Sequence, residues 1–224
     1  MEFNSILERQ NRRTLSISIT REGLVKIKAP ISMPAHEIRN FVNEKQAWIK
    51  EKLLAISNIN DENREIIAYE KFLFLGHKLS PYWANVRDFL FDIERNALII
   101  PKRRAGGIIL PYLCRAFKKK AKEILCERVI SISGTMDCFA NKIRISNAKS
   151  RWGSCSGSKV VSLNWRLIML PTKIIDYVIV HELAHLKHMD HSNRFWAEVE
   201  TYIPDYGFLR KDLKRYSFVL DLFR

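Results

Sequence analysis

The sequence lacks the features that mark membrane-spanning, secreted and disulfide-stapled proteins. Its longest apolar runs, around residues 178–180 and 108–110, are far shorter than the roughly 20 residues that a membrane helix needs. The first residues show no charged segment followed by an apolar block, so we expect no signal peptide. The four cysteines are widely spaced, which favours free thiols over a disulfide framework. We therefore expect a cytoplasmic protein without a membrane segment.

Glycine is scarce, and acidic residues are outnumbered by basic ones. The eight glycines form no glycine-rich phosphate loop, so a common signature of nucleotide binding is missing. The 38 lysines and arginines against 24 acidic residues give a formal net charge of +14. This excess is compatible with a nucleotide or nucleic-acid partner, but its spread along the chain favours a generally basic surface. The densest cationic cluster comprises Lys102, Arg103, Arg104, Arg115, Lys118, Lys119, Lys120 and Lys122.

Hydrophobic periodicity divides the chain into a strand-rich first part and a second part dominated by helices. Alternating apolar residues predict a hairpin over 15–30 and strands at 71–75, 89–93 and 98–100, with one helix over 34–56. The second part is predicted to contain helices over 109–130, 172–188, 192–203 and 206–222, and strands at 142–146 and 160–165 separated by a loop at 150–157. We expect an α+β protein with a β-rich N-terminal domain over residues 1–105 and a second domain over residues 106–224.

The segment His-Glu-Leu-Ala-His at residues 181–185 carries most of the chemical information. On a helix, side chains four positions apart project from one face, so the ring nitrogens of His181 and His185 can reach a single ion. Glu182 is rotated by about 100° from His181 and stands beside the metal, where it can accept a proton from a metal-bound water. The segment therefore predicts Zn²⁺ on the two histidines, with Glu182 as the general base.

A catalytic zinc site needs a third protein ligand and one open position. We expect this ligand to be His191. Ten residues of straight helix would place it about 15 Å from His181, so the chain must turn back after His188. Residues 189–190 supply a suitable turn, because aspartate tolerates turn geometry. The alternative ligands are His188, Glu198 and Glu200.

Three motifs in order resemble the YgjP-like family of predicted zinc metallopeptidases, which is similar to the SprT-like and WLM metalloproteases. The motifs are Ser-Arg-Trp-Gly-Ser-Cys at 150–155, Ser-Leu-Asn-Trp-Arg-Leu at 162–167, and the segment 176–192 followed by Arg-Phe-Trp at 194–196. The similarity is strong over residues 148–196 and looser in the N-terminal third. It implies Zn²⁺ on His181, His185 and His191, with Glu182 as general base.

The resemblance also has implications for the fold and for substrate binding. It implies a zincin-like C-terminal domain, in which a small antiparallel sheet lies over the active-site helix. The strand around 160–165 would be the edge that pairs with an extended peptide. Arg151, Asn164 and Arg166 are candidate substrate-binding residues, because polar groups beside zinc can stabilise a developing oxyanion. A structural hydrogen bond is the alternative role for each of them.

Three functions are compatible with these residues. The first is a peptidase that hydrolyses peptide or protein substrates with a metal-activated water. The second, implied by the resemblance, is metal-dependent hydrolysis of nucleoside triphosphates such as UTP. The third is an SprT-like protein associated with DNA. A purely structural zinc normally has four protein ligands, and no fourth ligand is evident near the histidines, so we expect an enzyme with a catalytic Zn²⁺.

Overall fold

The computed structural model of the protein describes residues 3–223. Within that range the chain forms seven α-helices and three small sheets, so the α+β class predicted from the sequence is confirmed. The chain divides into two compact units after Arg64. None of the helices in residues 3–223 combines the length and the apolar character that a membrane span requires.

The first unit is built on a three-stranded sheet. Its elements are β1 (Ser5–Gln10), β2 (Ser16–Ile19), β3 (Val25–Pro30), α1 (Ala35–Glu44) and α2 (Gln46–Glu62). The strand order is β1-β3-β2, with β3 parallel to β1 and antiparallel to β2. Val25 and Ile27 of β3 share a buried core with Ile38 and Val42 of α1 and Ile49 of α2. The alternation that predicted this hairpin therefore reflects a strand with one buried face.

The structure departs from the sequence prediction at two places in this unit. Strand β1 was not predicted, and it pairs in parallel with β3, the second strand of the hairpin. The predicted helix over 34–56 is divided at Lys45, which lies between α1 and α2. Periodicity alone cannot find such a division, because both helices continue the same apolar spacing.

The second unit begins at Glu65 and contains the other two sheets. After α3 (Arg64–Ile67), the first of these consists of β4 (Phe72–Phe74), β5 (His77–Ala84), β6 (Leu90–Asp92) and β7 (Ala97–Pro101), in the order β4-β5-β7-β6. It leads through a 3₁₀ turn, Lys102–Arg104, into the long helix α4 (Leu110–Met136).

The domain boundary predicted between residues 105 and 106 lies inside this second unit. The reason is aromatic packing between the sheet and α4. Phe74 of β4 stacks on Phe91 of β6 with ring centroids 4.5 Å apart, and Phe91 meets Phe117 of α4 at 4.9 Å. The sheet and the helix that follows it therefore share one core.

The third sheet consists of β8 (Lys142–Ser146), β9 (Gly153–Cys155) and β10 (Val160–Asn164), in the order β8-β10-β9. Two expectations are corrected here. The sheet is mixed rather than antiparallel, because β10 runs parallel to β8 and antiparallel to β9. Strand β10 is the central strand and not an edge, because residues 153–155, predicted as part of a loop, pair with residues 161–163.

Helix α5 (Thr172–Ala184) is the central element of the second unit. It packs against β9, β10 and α4, and against two later helices, α6 (Asn193–Tyr202) and α7 (Tyr206–Arg215). Its middle, Ile-Ile-Asp-Tyr-Val-Ile-Val at 174–180, is apolar on nearly every face, as expected for a helix surrounded by protein. Asp176, the one charged residue of this stretch, forms a two-bond ion pair with Arg128 of α4 at 2.7 and 2.5 Å. α5 is therefore fixed on several sides.

A two-residue hairpin loop between β4 and β5 contacts the segment that precedes α5. Leu75 and Gly76 both have positive φ, 49° and 85°, as type I′ hairpin turns require. Their N–H groups donate to the carbonyls of Ile168 and Met169 at 2.7 and 3.2 Å. A Cβ added at Gly76 would lie 2.9 Å from the Cα of Pro171, the residue before α5. Glycine is needed at this position for both its conformation and its size.

We expect Gly76→Ala to lower the unfolding temperature more than Gly106→Ala does. Both glycines have positive φ, but nothing lies within 4 Å of a Cβ at Gly106. The control should therefore cost only the left-handed strain of about 1–2 kcal/mol, whereas Gly76→Ala adds the collision with Pro171. Differential scanning calorimetry measures both. Equal losses would show that the hairpin contact does not support α5.

Candidate metal centre

The first two histidines of the metal motif lie at the C-terminal end of α5. His181 occupies the last turn of the helix, and His185 is the residue that ends it, with φ −65° and ψ −16° still helical. Their ring centroids are 5.0 Å apart. The helix is shorter than the predicted span to residue 188, so the chain is already turning away just beyond the second histidine.

The chain reversal after α5 brings the third histidine back to the first. Asp190 stabilises this reversal, because its Oδ1 accepts a hydrogen bond of 3.3 Å from the Ser192 N–H just before α6. The Nε2 atoms of His191 and His181 then lie 3.2 Å apart. His181, His185 and His191 are thus positioned to bind one metal ion, with one ring nitrogen from each within 4.8 Å of the others.

The donor set and its spacing fit a small divalent cation. Tetrahedral Zn²⁺ has nitrogen ligands at about 2.0–2.1 Å, which places neighbouring ligand atoms about 3.3 Å apart. The 3.2 Å between the Nε2 atoms of His181 and His191 agrees with that value. Three imidazoles are also a donor set that zinc accepts, and they leave one position open.

The protonation states of two rings favour metal binding. Burial lowers the pKa of His181 to about 3, and the neighbouring imidazoles of His185 and His191 act in the same direction. Burial also lowers the pKa of His185. Both rings are therefore neutral near pH 7, which is the state that can bind a metal.

The two helix histidines are oriented in different ways. His185 Nδ1 lies 3.0 Å from the carbonyl oxygen of His188. A carbonyl only accepts, so Nδ1 carries the hydrogen and the lone pair of Nε2 faces the cluster. His181 Nδ1 is buried and has no hydrogen-bond partner within residues 3–223. The orientation of His181 must therefore come from packing.

Phe195 of α6 provides that packing for all three rings. It is fully buried, and its centroid lies 4.9, 4.5 and 4.8 Å from those of His181, His185 and His191. Trp196 stacks on His191 at 5.7 Å. An apolar platform behind the ligands limits their rotation and excludes water from one side of the site.

The side chain of Glu182 on α5 lies against strand β9. The residue is 6% exposed, and no hydrogen bond among the described residues ends on its carboxylate. Burial raises the pKa of Glu182 to about 7, while the positive charge of Arg151 acts against that rise. A carboxyl group with a pKa near neutrality and no fixed partner is typical of functional sites.

Gly153 allows the strand to approach this carboxylate closely. A Cβ added at Gly153 would lie 2.4 Å from Glu182 Oε1 and 2.6 Å from its Cγ, far inside van der Waals contact. The backbone of β9 is therefore in direct contact with the Glu182 side chain. Residue 153 has to be glycine if both β9 and Glu182 are to keep these positions.

The outer side of β9 presents unpaired backbone groups beside Glu182. The Asn164 N–H donates to the Trp152 carbonyl, and the Ser156 N–H donates to the Val160 carbonyl. In an antiparallel pair the direction of these groups alternates along the strand, so residue 154 also faces β10. The N–H and C=O groups of Gly153 and Cys155 point away from β10. β9 is an edge strand among the described residues, so these groups form its free side.

The three predicted substrate-binding residues are placed differently. Arg151 is exposed, and its charge acts on Glu182. Asn164 is fully buried; its amide donates to the carbonyls of Ala148 and Arg151 at 2.8 and 3.0 Å. Arg166 is buried and donates to Asn147 Oδ1 and to the Leu222 carbonyl, each at 2.8 Å. Of the three, only Arg151 acts on the charge of Glu182, whereas Asn164 and Arg166 are engaged in these internal hydrogen bonds.

The alternative metal ligands are engaged elsewhere. His188 supplies its backbone carbonyl to His185 and does not join the cluster of ring nitrogens. Glu198 is paired with Lys187 at 2.7 Å. Glu200 is exposed and is likewise outside the cluster.

Three converging imidazoles beside a buried glutamate, in an α+β fold, are typical of metal-dependent hydrolases. The family model described as the YgjP-like metallopeptidase domain matches residues 13–216, and the chain belongs to this YgjP-like family. The resemblance identified from the sequence motifs is thus confirmed. Membership implies a metal-dependent hydrolase that acts on peptide or protein substrates.

Two further comparisons were less informative. The metallopeptidase zymogen of Pyrococcus abyssi abylysin is similar over 40% of this chain and 90% of that chain, with 23% identity and a TM-score of 0.37. That likeness is too weak to bear on the fold. None of the curated proteins with which the sequence was compared matches it significantly.

The sequence prediction did not recognise two residues that shape this centre. Gly153 and Phe195 both belong to segments that carry the family resemblance, Trp-Gly-Ser-Cys at 152–155 and Arg-Phe-Trp at 194–196. A glycine in a strand often marks a place where another group approaches the backbone closely. That rule is the one by which Gly153 could have been recognised from the sequence. No sequence pattern indicates that Phe195 contacts all three rings.

We expect His191→Ala to weaken Zn²⁺ binding by more than about 100-fold. Loss of a residue that only hydrogen-bonds to a metal ligand already lowers metal affinity about 10–100-fold, and loss of a ligand itself should cost more. His188→Ala is the matched control, because the contribution of His188 comes from its backbone, and it should keep wild-type affinity. Competition titration with a zinc chelator measures both. Weak binding by the control with full binding by His191→Ala would assign the third ligand to His188.

We expect Gly153→Ala to reduce hydrolysis about 100-fold while Zn²⁺ affinity stays within about twofold of wild type, because a displacement near 1 Å beside the reacting groups has effects of that size. Gly157→Ala is the control, since nothing lies within 4 Å of a Cβ there. Turnover of zinc-saturated protein and chelator competition give the two readings. Undiminished turnover by Gly153→Ala would show that the contact with Glu182 is not needed.

Proposed function

We propose that this protein is a zinc-dependent peptidase in which His181, His185 and His191 hold the metal and Glu182 acts as general base. One observation carries the proposal: the carboxylate of Glu182, the residue that follows His181, lies against Gly153 of the edge strand β9. This arrangement brings a proton acceptor, a metal-binding cluster and a peptide-pairing edge into one place.

The chemistry is divided between the metal and the glutamate. A zinc ion on three imidazoles would supply a Lewis acid for the scissile carbonyl and would lower the pKa of water. Glu182 would take the proton from the attacking water and return it to the leaving amine. Burial raises the pKa of Glu182, which makes its carboxylate a stronger proton acceptor than that of an exposed glutamate. Burial limits the solvent molecules that compete for its proton.

The free side of β9 supports a peptide as the substrate. An extended chain can add to an exposed strand through backbone hydrogen bonds. The N–H and C=O groups of Gly153 and Cys155 offer that pairing, and Gly153 touches Glu182. A peptide bound to this edge would present an amide bond close to the glutamate. Strand pairing recognises a backbone of amides, which favours a peptide over the alternative UTP-hydrolase and DNA-associated functions.

The remaining polar residues are proposed to have separate roles. Arg151 is exposed near Glu182, so its guanidinium is available to bind a substrate carbonyl or a developing oxyanion. Asn164 holds residues 148–151 through its two amide hydrogen bonds, and it thereby fixes the loop that carries Arg151. Arg166 holds the C-terminal segment through the Leu222 carbonyl. Asn164 and Arg166 therefore act as structural residues.

We expect Glu182→Gln to keep Zn²⁺ affinity within about threefold and to lose about 10²–10⁴-fold in kcat, the usual contribution of a general base. Glutamine preserves size but cannot accept the proton. Glu127→Gln, at an exposed position of α4, makes the same chemical change away from the site and should leave kcat unchanged. A quenched-fluorescence peptide library detects cleavage, and chelator competition measures metal affinity.

The same samples are incubated with a panel of nucleoside triphosphates and assayed for released phosphate and pyrophosphate. Peptide cleavage that disappears only in Glu182→Gln would support the proposal. Full peptide turnover by Glu182→Gln would exclude the general-base role. Nucleotide hydrolysis without any peptide cleavage would contradict the peptidase assignment itself.

A further inference from the structure

A cationic pocket lies in the second unit and shares no residue with the metal centre. Its volume is about 260 Å³, and it is formed by the first turns of α4, the 3₁₀ turn Lys102–Arg104 and the segment before β6. Its positively charged lining residues are Arg87, Arg103, Arg104, Arg115, Lys119 and Lys120.

The pocket has a large excess of positive charge. Asp88 is the one acidic residue in its lining, against six cations. Lys120 is paired with Glu123 at 2.9 Å, but the other five cations have no ion pair within the part of the chain that the structure describes. So many unpaired like charges around one concavity repel each other. A bound polyanion would relieve that repulsion.

The walls of the pocket are fixed by specific contacts. Arg103 donates a hydrogen bond of 2.7 Å to the Arg87 carbonyl, which ties the 3₁₀ turn to the segment before β6. The guanidinium of Arg104 lies 3.6 Å from the ring centroid of Tyr112, and that of Arg115 lies 5.8 Å from the same ring. Cation–π contacts of this kind restrict both guanidinium groups. Arg103, Arg104 and Arg115 are therefore held around the pocket.

The base of the pocket is anchored in the protein core. Phe91, which contributes to the lining, packs against Phe74 and Phe117 at 4.5 and 4.9 Å. On α4, Arg115 and Lys119 are one helical turn apart, so their side chains project from the same face. The sequence had shown only a dense run of cations. Folding gathers part of that run, together with Arg87, around a single concavity.

The residue types and the size indicate the class of ligand. Four of the six cations are arginines, whose planar fork matches the oxygens of phosphate. A single carboxylate would neutralise only one charge, whereas linked phosphates carry several charges within a few ångströms. Sites for drug-sized ligands usually have volumes of about 300–1,000 Å³, so 260 Å³ suits a small anion. We propose that this pocket binds a small anion that contains two or more linked phosphate groups.

Calorimetric titration of the full chain with inorganic tripolyphosphate tests this site. Metal is removed first, so that the anion cannot bind through zinc. We expect one binding site, and we expect the double variant Arg115→Gln/Lys119→Gln to weaken it by about tenfold or more, since charge-assisted hydrogen bonds to phosphate are the strong ones. Lys211→Gln/Lys214→Gln removes two charges from exposed positions of α7 and should change the affinity less than about twofold.

Further ligands identify the source of the phosphates. Equal affinity for tripolyphosphate and ATP would show that the phosphate chain alone is recognised, and tighter binding of ATP would show that a nucleoside adds contacts; either result supports the proposal. Unchanged zinc affinity in Arg115→Gln/Lys119→Gln would support the independence of the pocket from the metal centre.

Four results would overturn the proposal. Tripolyphosphate could fail to bind, or citrate could bind as tightly, which would indicate a general anion site. Equal weakening by the two double variants would indicate an effect of net charge. Binding of a short oligonucleotide without binding of either small anion would assign the surface to nucleic acid.

Discussion

The chain reversal between α5 and α6 is the constraint on which the metal centre depends. His181 and His185 are brought together by helix geometry alone, but the third imidazole reaches them only because α5 ends at Ala184 and the chain turns back. Asp190 stabilises the turn through the Ser192 N–H, and Phe195 of α6 then packs against all three rings. A continuous helix would carry the third ring about 15 Å away from the first, so the site depends on where the helix ends.

A second constraint acts beside the histidines on α5, where β9 touches Glu182. The helix carries both His181 and Glu182, and the absence of a side chain at Gly153 lets strand β9 approach the glutamate. Burial there raises the pKa of Glu182, and the same strand leaves the backbone groups of Gly153 and Cys155 unpaired by β10. One close contact thereby links the proton acceptor to the edge at which we propose that a peptide binds. Hydrogen bonds of Asn164 to the carbonyls of Ala148 and Arg151, and of Arg166 to Asn147, hold the segment that leads into β9.

Much of this arrangement could be predicted from the sequence because it depends on local spacing. The hairpin in residues 15–30, the α+β class, the strand at 142–146 and the histidine helix follow from periodicities of two and near four, and family motifs strengthened the choice of His191.

Partners distant in sequence could not be predicted in this way. Residues 153–155 form too short a segment to show alternation, so the sequence does not reveal their pairing with β10. The sheet of β4–β7 was assigned to the N-terminal domain, because its aromatic contacts with α4 are visible only in three dimensions. Burial of Asn164 and Arg166 was equally hidden, since polar residues near a metal motif have the same sequence appearance whether they bind substrate or hold loops.

X-ray absorption spectroscopy of the full chain loaded with one equivalent of Zn²⁺ tests the central claim most directly. The account predicts a first shell of nitrogen and oxygen atoms at about 2.0–2.1 Å, with outer-shell scattering from three imidazoles in the wild type and from two in His191→Ala. A sulfur ligand at about 2.3 Å, or a spectrum that His191→Ala leaves unchanged, would contradict it.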